Sequence, residues 1–233
     1  MSSFMLRLLA LASMMVDHAG LALFPNIGAF RCVGRLAFPI YCFLLVQGFV
    51  HTRDLLAYAR RLMLFAILSE IPFDLLIFGR IASGTEQNVL FSLLLGLLAV
   101  HGAHSLKKQP VLAAAYALIL SMIAMIARVS FGWLPVALCM CFYWFQENKP
   151  RMAFCAALIL SVYTLSLLLS GVALSWVLVS FCSLLALPVI ALYNHQRGLR
   201  TPALTFLFYA AYPLHLLVLV VIRALRIVPP YFF

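Results

Sequence analysis

Arg7 and His18 stand eleven residues apart near the start of this 233-residue chain, and Asp17 sits beside the histidine. On a helix, eleven residues make almost three full turns. Both side chains then project from one side, about 16 Å apart along the axis. An imidazole, with a pKa of about 6.5, suits a general base near neutral pH, or a carrier of a transferred group. An arginine is a fixed cation matched to phosphate. Asp17 points about 100° away from His18, so it is expected to pair with Arg31 or Arg35 of the following segment rather than with its neighbour.

Other polar residues interrupt apolar runs. Gln47 and His51 are four residues apart and share a helix face, with Gly48 permitting close helix approach. Glu70 and Asp74 are also four apart and flank Pro72. Two neighbouring carboxylates in a low dielectric do not both ionise freely, so either one holds a proton or an arginine neutralises them, with Arg35 a candidate. Asn88 follows, and the later runs are nearly blank until His215. Ionisable residues inside a membrane are expensive, which makes this asymmetry a functional signal. It predicts a site built from the first four spans and closed by the last.

Each residue also has a plainer reading. A single histidine in a span is most often a hydrogen-bonded packing residue, but Arg7 and Asp17 accompany His18 and favour function there. His51 reads as interfacial, as do His101 and His104. Glu70 and Asp74 serve equally well as structural ion-pair partners. Topology alone accounts for Arg53, Arg60 and Arg61. Trp133, Trp144 and Trp176 read as belt or packing residues. Most of the six cysteines, at 32, 42, 139, 141, 155 and 182, lie inside apolar runs. Cys139 and Cys141, with one residue between them, have neither a zinc nor a redox spacing, and the cysteines read as small apolar core residues.

The elements that must position these groups are helices in a bilayer. The chain is 66% hydrophobic and 9% charged, against about 25% charged in a soluble domain. Spans of about 20 apolar residues are needed to cross. Nine candidates run over 4–23, 34–50, 60–78, 88–104, 110–127, 131–146, 152–170, 173–193 and 203–222. The fold expected is an all-α polytopic membrane bundle of about nine helices, forming one domain over 1–233. Its polar site region covers 5–100 plus the last span. The first run lacks a cleavage site and reads as a retained span. Pro39 and Pro72 are expected to kink their helices. The net charge of +10 is scattered between apolar segments, which argues against nucleic acid and for the bias of Lys and Arg toward cytoplasmic loops. With the N-terminus inside, ten positive residues fall inside, Arg200 among them, and six outside, Arg226 among them. That favours N-in and, with nine spans, C-out.

The strings "RCVGRLAFPIYCFLLVQGFVHTRDLLAYARRLMLFAILSEIPFDLLIFG" and "NVLFSLLLGLL", with "MMVDHAG" before them and "LFYAAYPLHLL" near the end, strongly resemble the TraX family of conjugative plasmids and their bacterial relatives. The match is close over 5–100 and 203–217. The resemblance implies N-acetylation of the amino terminus of conjugative pilin. It also implies kinship with the integral-membrane type-3 acyltransferases, whose first span carries Arg or Lys, ten residues, then a catalytic histidine. Arg7 and His18 have that spacing. Those enzymes typically have ten spans and a basic pair in the third. This chain is shorter, with Arg60 and Arg61 at the corresponding place.

The expectation is therefore an inner-membrane acetyltransferase with its N-terminus cytoplasmic. Acetyl-CoA would be the donor, a pilin subunit the acceptor, lipid the surroundings, and no metal or nucleic acid would take part. His18 would be base or acyl carrier, with Asp17 organising Arg31 or Arg35. Arg7, Arg53, Arg60 and Arg61 would hold CoA phosphates. Arg31, Arg35, Gln47, His51, Glu70, Asp74, Asn88 and His215 would line or stiffen the cavity. Three rivals stand beside it: head-to-tail cyclisation of pilin at the same amine, a proton-coupled transporter using the acids and His18, and a non-catalytic pilus-assembly subunit.

Overall fold

The computed structural model describes residues 1–199 and 201–225. Arg200 and Arg226, both used in the charge balance, lie outside the described residues. Eleven α-helices make up the described chain: α1 (Ser3–Leu23), α2 (Gly28–Gly34), α3 (Ala37–His51), α4 (Leu55–Phe78), α5 (Val89–Ser105), α6 (Pro110–Ile126), α7 (Leu134–Trp144), α8 (Lys149–Leu169), α9 (Leu174–Phe181), α10 (Ala186–Ala191) and α11 (Pro202–Ala224). A 3₁₀ turn, Cys182–Leu185, joins α9 to α10. Hydrogen bonds closed within each helix are what a lipid environment demands of a backbone.

Every apolar run expected to span falls on helix, with two subdivisions. The second run gains a short leading helix, α2, and the eighth is broken by the 3₁₀ turn. Five segments are long and apolar enough to cross a membrane: Ser3–Leu23, Gly28–His51, Lys149–Leu169, Leu174–Ala191 and Pro202–Ala224. The segments α5, α6 and α7 are apolar but shorter. The 24-residue α4 has the length, but carries Arg60, Arg61, Glu70 and Asp74.

Five helices close a ring. α1 packs on α3, α3 on α5, α5 on α4, α4 on α11, and α11 back on α1. The starts of α1, α4 and α11 and the end of α3 meet around one cavity, so α1, α4 and α11 run in one sense and α3 in the other. The remaining helices buttress the ring: α7 lies against α3 and α5, α6 against α5, and α2 against α1 and α9. The core joins both parts, from Leu6 and Ala10 of α1 through Ile40 and Val46 of α3 to Leu138 and Phe142 of α7, each fully buried.

Local chemistry sets the helix ends. Ser2, Asp54, Asn88, Asn148 and Thr201 each cap a helix with a side-chain oxygen, the residue types that satisfy orphan N–H groups. Pro39 stands in the first turn of α3, where a missing N–H has no helical partner to lose, so the expected kink has no cause there. Pro72 is inside α4 and Pro213 inside α11, both buried.

Candidate functional site

The ring encloses a cavity of about 180 Å³. At one end stand three arginines: Arg7 from α1, Arg61 from α4 and Arg197 from the loop before α11. Gln47 and His51 of α3 lie on the same wall, and the His51 ring Nδ1 is 2.8 Å from the Gln47 carbonyl. Gly48 gives Tyr58 of α4 room to enter, since a Cβ there would stand 2.9 Å from the Tyr58 hydroxyl. Deeper in, the lining becomes apolar and aromatic, with Tyr41, Leu44, Leu90, Leu93, Met14 and Tyr212. A cationic rim over an apolar shaft fits a ligand with an anionic head and an extended neutral arm.

Arg197 owes its position to a strap. The backbone N–H groups of Ser3 and Phe4 donate to the carbonyls of Gln196 and Arg197, at 2.8 and 3.2 Å. The Ser3 hydroxyl meets the Tyr193 phenol at 3.1 Å. Two orphan donors of the first turn of α1 are thus satisfied by the loop that carries Arg197.

Beyond the deep end lies a histidine couple. His18 Nδ1 is 2.8 Å from His215 Nε2, and His215 Nδ1 is 2.8 Å from the Ala211 carbonyl. A carbonyl only accepts, so His215 carries its proton on Nδ1 and presents a lone pair at Nε2. His18 then donates from Nδ1, which leaves its own Nε2 as a free lone pair. One histidine is aimed and its tautomer fixed by the other, as a general base requires. Neither histidine lines the cavity. Tyr212 does, and its ring lies 6.2 Å from that of His18 and 5.6 Å from that of His215.

On the far side of His18, Asp17 accepts from Arg31 at 2.8 Å. Of the two partners open to Asp17 from sequence, Arg31 is the one bonded. The Arg31 guanidinium also lies 5.7 Å over Trp176, which gives this tryptophan a specific partner. Gly34 makes the approach possible: a Cβ there would fall 2.0 Å from the Asp17 carboxylate. Arg35 makes no salt bridge among the described residues, and its Nε is buried without a partner.

Cys32 of α2 is joined by a disulfide to Cys182. This corrects the reading of the cysteines as small apolar core residues at two of the six positions. A separation of 150 residues leaves no local signal of pairing. Cys42, Cys139 and Cys141 are buried thiols, and Cys155 is partly buried.

The structure takes the remaining acids elsewhere. Glu70 accepts from the backbone and side chain of Asn88, and Asn88 also donates to the Ala66 carbonyl at 2.8 Å. Asp74 accepts from the Ser83 N–H at 2.7 Å. Neither pairs with Arg35. Both acids hold the segment between α4 and α5, and Asn88, fully buried, caps α5. Arg53 and Arg60 are exposed and absent from the cavity lining. Sequence reasoning missed Arg197 as a cavity residue and Tyr212 altogether. The signals for Tyr212 were its place three residues before His215, one helical turn, and its presence in the string "LFYAAYPLHLL".

The sequence profile of the TraX protein family matches residues 2–223. The chain belongs to the TraX family. It is similar to the probable fimbrial assembly protein FimC, serogroup H1, of Dichelobacter nodosus, with 39% identity over 111 residues, 42% of this chain and 45% of that protein. It is also similar to the uncharacterized protein RP591 of Rickettsia prowazekii (strain Madrid E), with 28% identity over 92 residues, 40% of this chain and 34% of that one. The matches thus span less than half of each relative's length. No solved structure gives a significant match.

Proposed function

We propose that this TraX-family protein is a membrane acetyltransferase that moves an acetyl group from acetyl-CoA to the amino terminus of a pilin. The observation that carries the reading is one continuous line of groups: three arginines, an apolar shaft, and a histidine couple just past its end. Membership of the TraX family and the fimbrial-assembly name of the relative in Dichelobacter nodosus support a pilus subunit as acceptor.

The chemistry follows from the parts. Arg7, Arg61 and Arg197 bind the phosphates of the donor, and the neutral pantetheine arm lies along the shaft. A free α-amine, with a pKa of about 7.7–8.0, is partly neutral near pH 7. Its nitrogen attacks the thioester carbonyl, forming the C–N bond, and gives a proton to His18 Nε2. The C–S bond breaks, and the departing thiolate takes that proton from His18. The products are an N-acetylated chain and free CoA. The amine comes from the opposite end to the arginines. The disulfide in that half of the bundle supports an oxidising compartment there, and the charge bias supports an N-terminus in the cytoplasm. A bacterial inner membrane fits both.

The test is the intact mass of the cognate pilin co-expressed with this chain, wild type or His18→Ala. A gain of one acetyl that disappears in the variant supports the reading. A loss of one water assigns end-to-end joining instead. An unchanged mass with the wild type sinks both and leaves the transporter and assembly-subunit readings.

A further inference from the structure

Tyr212 and Met14 occupy matched positions. Met14 is one turn before His18 on α1, and Tyr212 one turn before His215 on α11. Both line the cavity, both are buried, and the two helices run in the same sense. The two side chains therefore form the floor of the shaft on the side nearest the histidine couple. Leu90 and Leu93 of α5 close the same depth from the other side. Among the lining residues, Tyr212 is the one whose ring packs beside both histidines.

Resting on the acetyltransferase reading, we propose that Tyr212, with Met14, sets the length of the acyl group that the site accepts. The arginines fix the head of the donor, so the arm delivers its thioester to a constant depth. Whatever lies beyond the carbonyl must fit where the Tyr212 ring stands. A methyl is accommodated by small shifts of a flexible methionine. A longer chain has to displace a buried aromatic ring packed beside two histidines, and overpacking of that kind is costly. The substrate class is the shortest acyl thioesters, and an apolar site of this kind discriminates each added methylene by about 10- to 200-fold.

The experiment supplies acetyl-, propionyl-, butyryl- and hexanoyl-CoA in competition to the purified full chain in lipid vesicles with pilin. Product masses are then counted for the wild type, Tyr212→Ala, Met14→Ala and Tyr212→Phe. The expected wild-type product is acetylated, with propionyl at least tenfold behind and hexanoyl absent. Tyr212→Ala moves the preference at least tenfold toward butyryl, and Met14→Ala moves it the same way by less. Tyr212→Phe, which keeps the ring, keeps the wild-type ranking. Met14→Ala opens the same floor from α1, so it decides the matter if Tyr212→Ala does not fold. An acetylating wild type whose ranking survives both alanine variants overturns the floor and leaves the acetyltransferase intact. A wild type that transfers no acyl group of any length overturns both.

Discussion

His18 and His215, 197 residues apart in sequence, share a 2.8 Å hydrogen bond whose direction the Ala211 carbonyl dictates. His215 acts through His18 and is a positioning residue on this geometry. His215→Ala leaves the His18 Nδ1–H unpartnered and its tautomer unset. A donor orphaned in this way costs about 1–3 kcal/mol, so the rate should fall about tenfold to a hundredfold with the donor KM little changed. His18→Ala should lose about 10²–10⁴-fold, the usual share of a general base. Steady-state kinetics on both variants checks the order. Equal losses would mean that His215 itself touches substrate.

The arginines divide cleanly. Arg7, Arg61 and Arg197 line the cavity, whereas Arg53 and Arg60 do not. Alanine at each of the first three should raise the donor KM about tenfold, since a charge-assisted bond contributes about 1.5–3 kcal/mol. Alanine at Arg53 or Arg60 should leave it within twofold. Titration with CoA in low and high salt reads this out directly. A large effect at Arg60 would move the phosphate site away from the strap.

Gly34 lies against the Asp17 carboxylate with no room for a methyl. Gly34→Ala should push α2 from α1 and break the Arg31–Asp17 pair, at a cost of about 1–3 kcal/mol for overpacking. Thermal unfolding of Gly34→Ala beside Gly28→Ala, where the space is open, should show a loss at the first position only.

The disulfide closes a 150-residue separation. In the chain-entropy picture a loop of that length contributes about 5 kcal/mol. Cys32→Ser, Cys182→Ser or a reductant should each lower the unfolding midpoint by a similar amount, and the double variant by no more than either single one. Mass spectrometry after thiol alkylation should find four reactive cysteines without reductant under denaturing conditions, and six with it.

Asn88 caps α5 and donates to Glu70 and Ala66 while fully buried. Asn88→Ala removes a cap worth about 1 kcal/mol and strips the side-chain donor from Glu70 and from the buried Ala66 carbonyl. It should therefore be the most destabilising single alanine outside the apolar core. Asn88→Asp, which keeps the cap but sets a carboxylate against Glu70, should be at least as damaging.

Helix positions were legible in the sequence because apolar runs in lipid have one economical conformation. Arg7 and His18 were legible as a pair because a single helix fixes their relation. Relations between helices were not. Nothing in periodicity says whether Asp17 takes Arg31 or Arg35; the choice rests on the approach that Gly34 allows. The tie between Cys32 and Cys182 depends on α2 packing near α9. Arg197 looked like one more loop charge because its role comes from the strap over Ser3 and Phe4. Arg60 and Arg61 looked equivalent as neighbours, yet successive helical residues point about 100° apart, and only one reaches the cavity.

The ring closes between the first helix and the last, α1 on α11, and the strap welds them a second time. Both histidines and Arg197 depend on that junction. A ribosome releases α1 long before α11 exists, so the unfinished chain holds one half of the couple and none of its aim. Such a chain has Arg7 and Arg61 of the rim but no tuned base. On the proposed reading, an incomplete nascent molecule in the bilayer would be unable to spend acetyl groups on whatever amine drifts by.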